Sequence, residues 1–247
     1  MSASYRMGLL SAILLAPALL GACAGLLPGP AQSPARTYLL APDLPPGDGA
    51  ALRLRGSGPT ILVARPQDAA GYATQRMAYL ERDYRLDYFA EHEWVASPAA
   101  MLGPLLVKAL RGGGAFAAVS DDASSISADL RLDTVVESLY QDFRTRPSQA
   151  RVELRVQLVE PDRRRILATR VFADTQPAPS DDPYGGVVAV NRVLSRLLPQ
   201  IADFAAETAG RLKAAAARTE PRSGSPPMAS AAPAGQNVAR SSGAQGD

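Results

Sequence analysis

The sequence predicts an α+β fold: a largely antiparallel sheet with two helices packed on one face, in a single domain. Three observations carry this. Long runs alternate apolar and polar residues with period two, as half-buried antiparallel strands do. Two segments switch to helical spacing. Between the two ends, which read as signal and tail, one globular domain remains, with no internal repeat.

The first strand-like run is Thr37-Tyr38-Leu39-Leu40, followed by Ile61-Leu62-Val63. Met77-Ala78-Tyr79-Leu80-Glu81 is joined through Arg82-Asp83 to a longer run, so the pair reads as a hairpin. In that run Tyr84, Leu86, Tyr88, Ala90, His92 and Trp94 share one face; Arg85, Asp87, Glu91 and Glu93 share the other, with Phe89 the exception. Phe116 to Val119 supplies a further short strand.

Leu130, Leu132, Thr134, Val136 and Tyr140 alternate with charged residues, as do Val152, Leu154, Val156 and Leu158. Pro161-Asp162-Arg163 turns the chain into Ile166 to Ala173. These three runs predict a meander with one buried and one wet face.

Ser97-Pro98 is an N-cap with proline at the first helical position. The helix it opens aligns Leu102, Leu105, Leu106, Ala109 and Leu110, and Gly112-Gly113-Gly114 stops it. Pro104 is expected to bend it. The second helix spans about Tyr184 to Leu212, with Val187, Val190, Leu194, Leu197, Ile201, Phe204 and Thr208 on one side. Pro199 in its middle predicts a kink or a break.

The chain begins with Arg6, then the apolar run Leu9 to Leu20, then Gly21-Ala22 and Cys23. A charged start, a short apolar stretch and small residues form a secretory signal, and the run is too short for a permanent span. A cysteine directly after the small residues makes residues 1–22 resemble a lipoprotein signal peptide. Cys23 would then become the new N-terminus, carrying an N-terminal acyl group and a diacylglyceryl lipid, palmitate among the chains. Ala24 follows, where an Asp would favour inner-membrane retention, so the expected address is the inner leaflet of the outer membrane, facing the periplasm. Cys23 is the only cysteine among 247 residues. Once lipidated, it leaves no thiol for a disulfide, a thiolate metal site or cysteine catalysis.

Residues 23–36 read as a lipidated N-terminus and Pro/Gly tether, 37–217 as the domain and 218–247 as a disordered tail of Ala, Ser, Pro and Gly. Formal net charge is +2, and removing the signal takes away Arg6 and no acid. The near-neutral mature chain and the export signal both argue against a nucleic-acid partner.

No catalytic motif emerges. His92 is the one histidine, placed by parity beside Tyr88 and Trp94, with no second imidazole for a metal. It reads as a hydrogen-bonded structural histidine, and Trp94 as core. Gly56-Ser57-Gly58 lacks the nucleophile-elbow spacing. Gly112 to Gly114 lacks the Lys-Ser/Thr of a phosphate cradle. Asp121-Asp122 and Asp181-Asp182 read as solvated turns, too sparse for calcium. Arg163-Arg164-Arg165 reads as a charged hairpin tip that discourages edge association; the sharper alternative is contact with phospholipid headgroups or an acidic partner. No metal, cofactor or enzyme activity is expected.

With these residues laid out, the chain resembles the ABC-type transport auxiliary lipoproteins of the paraquat-inducible protein C type. The resemblance runs through Tyr38-Leu39-Leu40, Ile61-Leu62-Val63, Tyr79-Leu80, Tyr84-Arg85-Leu86 and Trp94. It continues in Pro98-Ala99-Ala100-Met101-Leu102, Phe116 to Val119, Ser127-Ala128-Asp129-Leu130-Arg131-Leu132 and Phe143. Pro104, Pro199 and the tail depart from the pattern.

The resemblance implies a non-catalytic component at the outer-membrane end of an envelope-spanning lipid transport system. Its implied partners are a protein with mammalian-cell-entry (MCE) domains and that protein's inner-membrane permease and ATPase. A ring-shaped partner would favour a matching ring of copies. The alternative is an outer-membrane assembly lipoprotein supporting lipopolysaccharide or β-barrel insertion, because fold alone does not separate the two.

Overall fold

The structure is a computed structural model and describes residues 34–44, 58–124 and 127–219. The signal, Cys23, most of the tether, Gly56-Ser57 and the tail beyond Thr219 lie outside the described residues. Among the described residues nine strands and two helices follow in the order β1 (Arg36–Tyr38), β2 (Thr60–Val63), β3 (Gln67–Asp68), β4 (Arg76–Arg82), β5 (Arg85–Trp94), α1 (Pro98–Gly113), β6 (Ala118–Ser120), β7 (Leu130–Asp142), β8 (Gln149–Glu160), β9 (Arg165–Pro177) and α2 (Pro183–Thr219).

Strand β7 is the spine of one nine-stranded sheet. Along one edge it pairs antiparallel with β8, which pairs antiparallel with β9, giving the expected meander. Its other edge takes three short strands in turn, all parallel: β2 at Leu130, β3 at Val135 and β4 at Gln141. The β7 carbonyls also accept from the connecting segments, Leu132 O from Ala64 N–H at 3.0 Å and Val136 O from Ala69 N–H at 2.9 Å. Strand β5 pairs antiparallel with β4, while β1 and β6 add in parallel beside β5 and β2. Most paired residues therefore sit in antiparallel ladders, and the α+β class is as expected.

The buried face of the meander carries Leu130, Leu132 and Val136 of β7 with Val152, Leu154, Val156 and Leu158 of β8. Against it lie Leu102, Leu106 and Leu110 of α1 and Val193, Leu194, Leu197, Leu198 and Ile201 of α2. Each such side chain contributes about 1.5–3 kcal/mol by leaving water. The opposite face carries ion pairs: Arg131–Asp133 at 2.8 Å, Arg155–Glu137 at 2.6 Å and Arg151–Glu153 at 3.4 Å.

The ends of α1 follow local chemistry. Ser97 Oγ accepts the Ala100 N–H at 3.4 Å, Pro98 opens the helix, and Gly114 closes it in the left-handed region at φ 66°. Asp68 of β3 adds a second cap, accepting the Ala99 N–H at 2.9 Å. Both helices run continuously through their prolines. The break considered at Pro199 does not occur, because Leu197, Leu198, Ile201 and Ala202 around it are all buried. That packing outweighs the ~3 kcal/mol that an interior proline costs a helix.

Two readings of the β4–β5 hairpin need correction. Tyr84 is not a strand residue: it sits in the two-residue turn with Asp83, at φ 64°, fully exposed. The alternation beyond Tyr88 is not one flat face either. Ala78 pairs with Tyr88 and Arg76 with Glu93, so Phe89 to His92 stand opposite Met77 alone. A bulge of this size re-aims every side chain in it.

Candidate functional site

The bulge turns Phe89 and His92 toward β1. His92 Nδ1 is hydrogen-bonded to the Tyr38 hydroxyl at 2.9 Å, and the two rings stack at 5.8 Å. Phe89 meets His92 edge-on at 6.1 Å and packs on Tyr79 at 4.5 Å. Phe143 closes on both, and Tyr184 at the start of α2 reaches Tyr38 at 6.4 Å. The result is a string of rings, half-buried except for the exposed Tyr184, linking the start of α2, β1, β5, β4 and the end of β7. Parity had placed His92 beside Tyr88 and Trp94; its observed partners are Tyr38 and Phe89.

This arrangement assembles no acid–base pair. The carboxylate whose titration senses His92 is Asp182, and Asp182 is already engaged. Its Oδ1 accepts the Gly185 N–H at 2.7 Å and its carbonyl accepts the Gly186 N–H at 3.1 Å, which makes it the N-cap of α2. The Gly185 N–H, followed by Ser180, holds the Asp182 carboxyl below its ordinary pKa.

The Asp181-Asp182 pair is therefore more than a solvated turn. Asp181 accepts the Ser148 N–H at 2.6 Å, and Gln141 Nε2 donates to Ser148 Oγ at 2.9 Å and to the Asp182 carbonyl at 3.1 Å. Together they bolt the start of α2 to the β7–β8 loop. Sequence reasoning missed this cap although the signal was present: an Asp followed directly by Pro183 at the helix start.

The other singled-out residues scatter. Trp94 is 2 % exposed and belongs to the core. Asp122 Oδ1 accepts the backbone and hydroxyl of Ser124 at 2.8 and 2.7 Å, a local turn. Gly58 lies where an added Cβ would meet the Ala115 carbonyl at 2.4 Å, so its role is close backbone approach. Arg163 and Arg165 both pair with Glu160, at 3.4 and 3.1 Å, on the β8–β9 tip.

Among the described residues no group of three or more His, Cys, Asp or Glu is placed to hold a metal. Nor is any helix there long and apolar enough to cross a membrane. Clefts of about 240, 270 and 210 Å³ among the described residues are smaller than the roughly 300–1,000 Å³ typical of small-molecule sites.

In class, the molecule is a single α+β domain whose histidine bonds and stacks with Tyr38 and whose Asp182, Asp122 and Glu160 serve a cap, a turn and ion pairs. More particularly, the chain belongs to the family of ABC-type transport auxiliary lipoprotein components, whose model matches residues 38–202. This is a family of auxiliary components and not of enzymes. The fold is similar to that of protein XCC0632 from Xanthomonas campestris, of the DUF330 family model, with TM-score 0.62 and 20% identity over 73% of this chain and 99% of that one. It is also similar to a second crystal structure, of an uncharacterised protein, with TM-score 0.55 and 13% identity over 70% of this chain and 99% of that one. At these identities the likeness concerns the fold. No curated protein sequence matches the chain.

Proposed function

We propose that the chain is a non-catalytic outer-membrane lipoprotein, acylated at Cys23, that serves as the periplasmic docking component of an ABC/MCE intermembrane transport system for lipids or other hydrophobic compounds. The observation that carries this reading is the family match across most of the folded domain. The Leu20-Gly21-Ala22-Cys23 signature supports the anchor, and the commitment of His92 and Asp182 to structural bonds supports a role without chemistry. In this reading ATP hydrolysis occurs in the inner-membrane partner. The lipoprotein supplies a surface held near the outer membrane.

The test is crosslinking in native envelopes, followed by purification of the chain and mass spectrometry of what comes with it. Recovery of an MCE-domain protein with its permease and ATPase is the expected result. Recovery of a β-barrel without them would overturn the transport reading in favour of an assembly factor.

A further inference from the structure

The arginine triplet at the β8–β9 tip is extended by the tertiary structure. Arg165 lines an open cleft of about 240 Å³ between β9 and α2, together with Arg211 and the apolar side chains of Ile166, Leu167 and Leu212. Ile166 is 56 % exposed. Further along the same β9–α2 seam, Arg170 lies over the Phe172 and Phe204 rings at 5.7 and 5.5 Å. Arg164 is held at φ 49° in the turn, with no ion pair or side-chain hydrogen bond among the described residues.

The charge balance along the seam favours cations. Arg163, Arg164, Arg165, Arg170 and Arg211 stand against Glu160 and Asp162 at the tip and Asp203 and Glu207, two turns and one turn before Arg211. Glu160 engages both Arg163 and Arg165, leaving Arg164 and Arg211 with no ion pair among the described residues. Arg211 donates to the neutral Thr208 hydroxyl, at 2.9 Å. Guanidinium forks match phosphate oxygens, and clusters of four or more basic residues bind anionic headgroups. An acidic protein surface would satisfy the charge but would leave the exposed Ile166 without a purpose, since Leu167 and Leu212 beside it already pack on the core. A phospholipid surface takes both, with phosphate on the arginines and Ile166 set between headgroups.

We propose that this seam, formed by the β8–β9 tip and the C-terminal half of α2, docks on anionic phospholipid headgroups. The proposal does not depend on acylation of Cys23 or on the identity of the transport partners.

The test uses the chain from Ala24 onward, which keeps every described residue and lacks Cys23, so no anchor carries it to the membrane. Co-sedimentation is measured with phosphatidylcholine vesicles, with and without phosphatidylglycerol. Binding is expected only with phosphatidylglycerol and should weaken with salt. Arg164→Gln and Arg211→Gln should each weaken it about fivefold, and the double variant about 25-fold, following ~1 kcal/mol per basic residue near an anionic surface. Ile166→Ser should weaken it further at unchanged charge. Unchanged melting temperatures keep these variants interpretable.

Absence of binding to phosphatidylglycerol vesicles would overturn the proposal. So would an equal loss on Arg192→Gln, on the N-terminal half of α2, which would reduce the effect to overall charge. Inorganic phosphate, compared with chloride at matched ionic strength, is the remaining arm. If it displaced the vesicles, the site would be one for free phosphate and the lipid assignment would fall.

Discussion

The Tyr38 hydroxyl and His92 Nδ1 lie 2.9 Å apart, and this bond fastens the short strand β1 to the bulge in β5. Strand β1 has only three residues, paired in parallel with His92, Glu93 and Trp94. Such a strand gains little from its own ladder, so a side-chain bond and a ring stack matter to it. His92→Gln, whose amide can accept from or donate to the phenol, should fold and support transport. His92→Ala should lose about 1 kcal/mol of stability, one net hydrogen bond. Urea unfolding checks the cost. A transport defect in His92→Gln at unchanged stability would instead give the imidazole a chemical role.

The Asp182 cap is tested by Asp182→Ala, expected to cost about 1 kcal/mol as N-cap losses do. The same carboxylate makes stability depend on pH. Its folded-state pKa is depressed by the Gly185 N–H, then by Ser180, and Asp181 is depressed likewise by the Ser148 N–H. Their stabilisation is present at neutral pH, above the unfolded value of 3.8, and is lost as pH falls through the folded values. Wild type should therefore lose more stability between neutral pH and pH ~3 than Asp182→Ala does. Equal losses would show that the cap carries no linkage.

Gly185 is required by space. An added Cβ would meet the Ser180 carbonyl at 2.1 Å, and the same addition at Gly186 would meet Gln141 Oε1 at 2.3 Å. Gly185→Ala must displace backbone at the α2 start and should destabilise by about 1–3 kcal/mol, the usual cost of overpacking. Gly210, on the same helix with nothing within 4 Å, is the control: Gly210→Ala should be neutral or stabilising. Thermal melts of the pair check the contrast.

Tyr72 should titrate late. Burial, reinforced by Tyr140, Tyr88 and Glu153, pushes its phenol up to about 12. A raised folded pKa contributes stability below the unfolded value of 10.0, and that contribution is lost as pH rises toward 12. Ultraviolet titration of Tyr72→Phe should lack the latest-ionising tyrosine seen in the parent chain. An unchanged high-pH limb would assign that limb to another residue.

Cys23→Ser should abolish lipid attachment and leave the chain in the soluble fraction or with its signal retained. Transport should fail while the domain still folds. Metabolic labelling with palmitate and envelope fractionation check this. A Cys23→Ser chain that stayed membrane-bound with normal processing and activity would refute the anchor.

Much of the fold was legible because its signals act over a few residues. Ser97-Pro98 and Gly114 mark the ends of α1 since a cap needs only its own turn. The β7–β8–β9 meander shows in the sequence because the pleat repeats every second residue. The β5 bulge was not legible, since it depends on Arg76 and Ala78 of another strand choosing Glu93 and Tyr88 as partners. Parity along β5 alone therefore misassigned His92.

The sequence by itself determined the class of fold, the bounds of α1 and the strands of the meander. Only the tertiary structure decided which short strands share the second edge of β7, which rings surround His92 and that Arg211 joins Arg165 in one cleft. The reason is physical. Caps and alternation are satisfied within a turn or a pleat, whereas strand pairing and charge convergence unite residues far apart in the chain, and no local pattern records which partner was chosen.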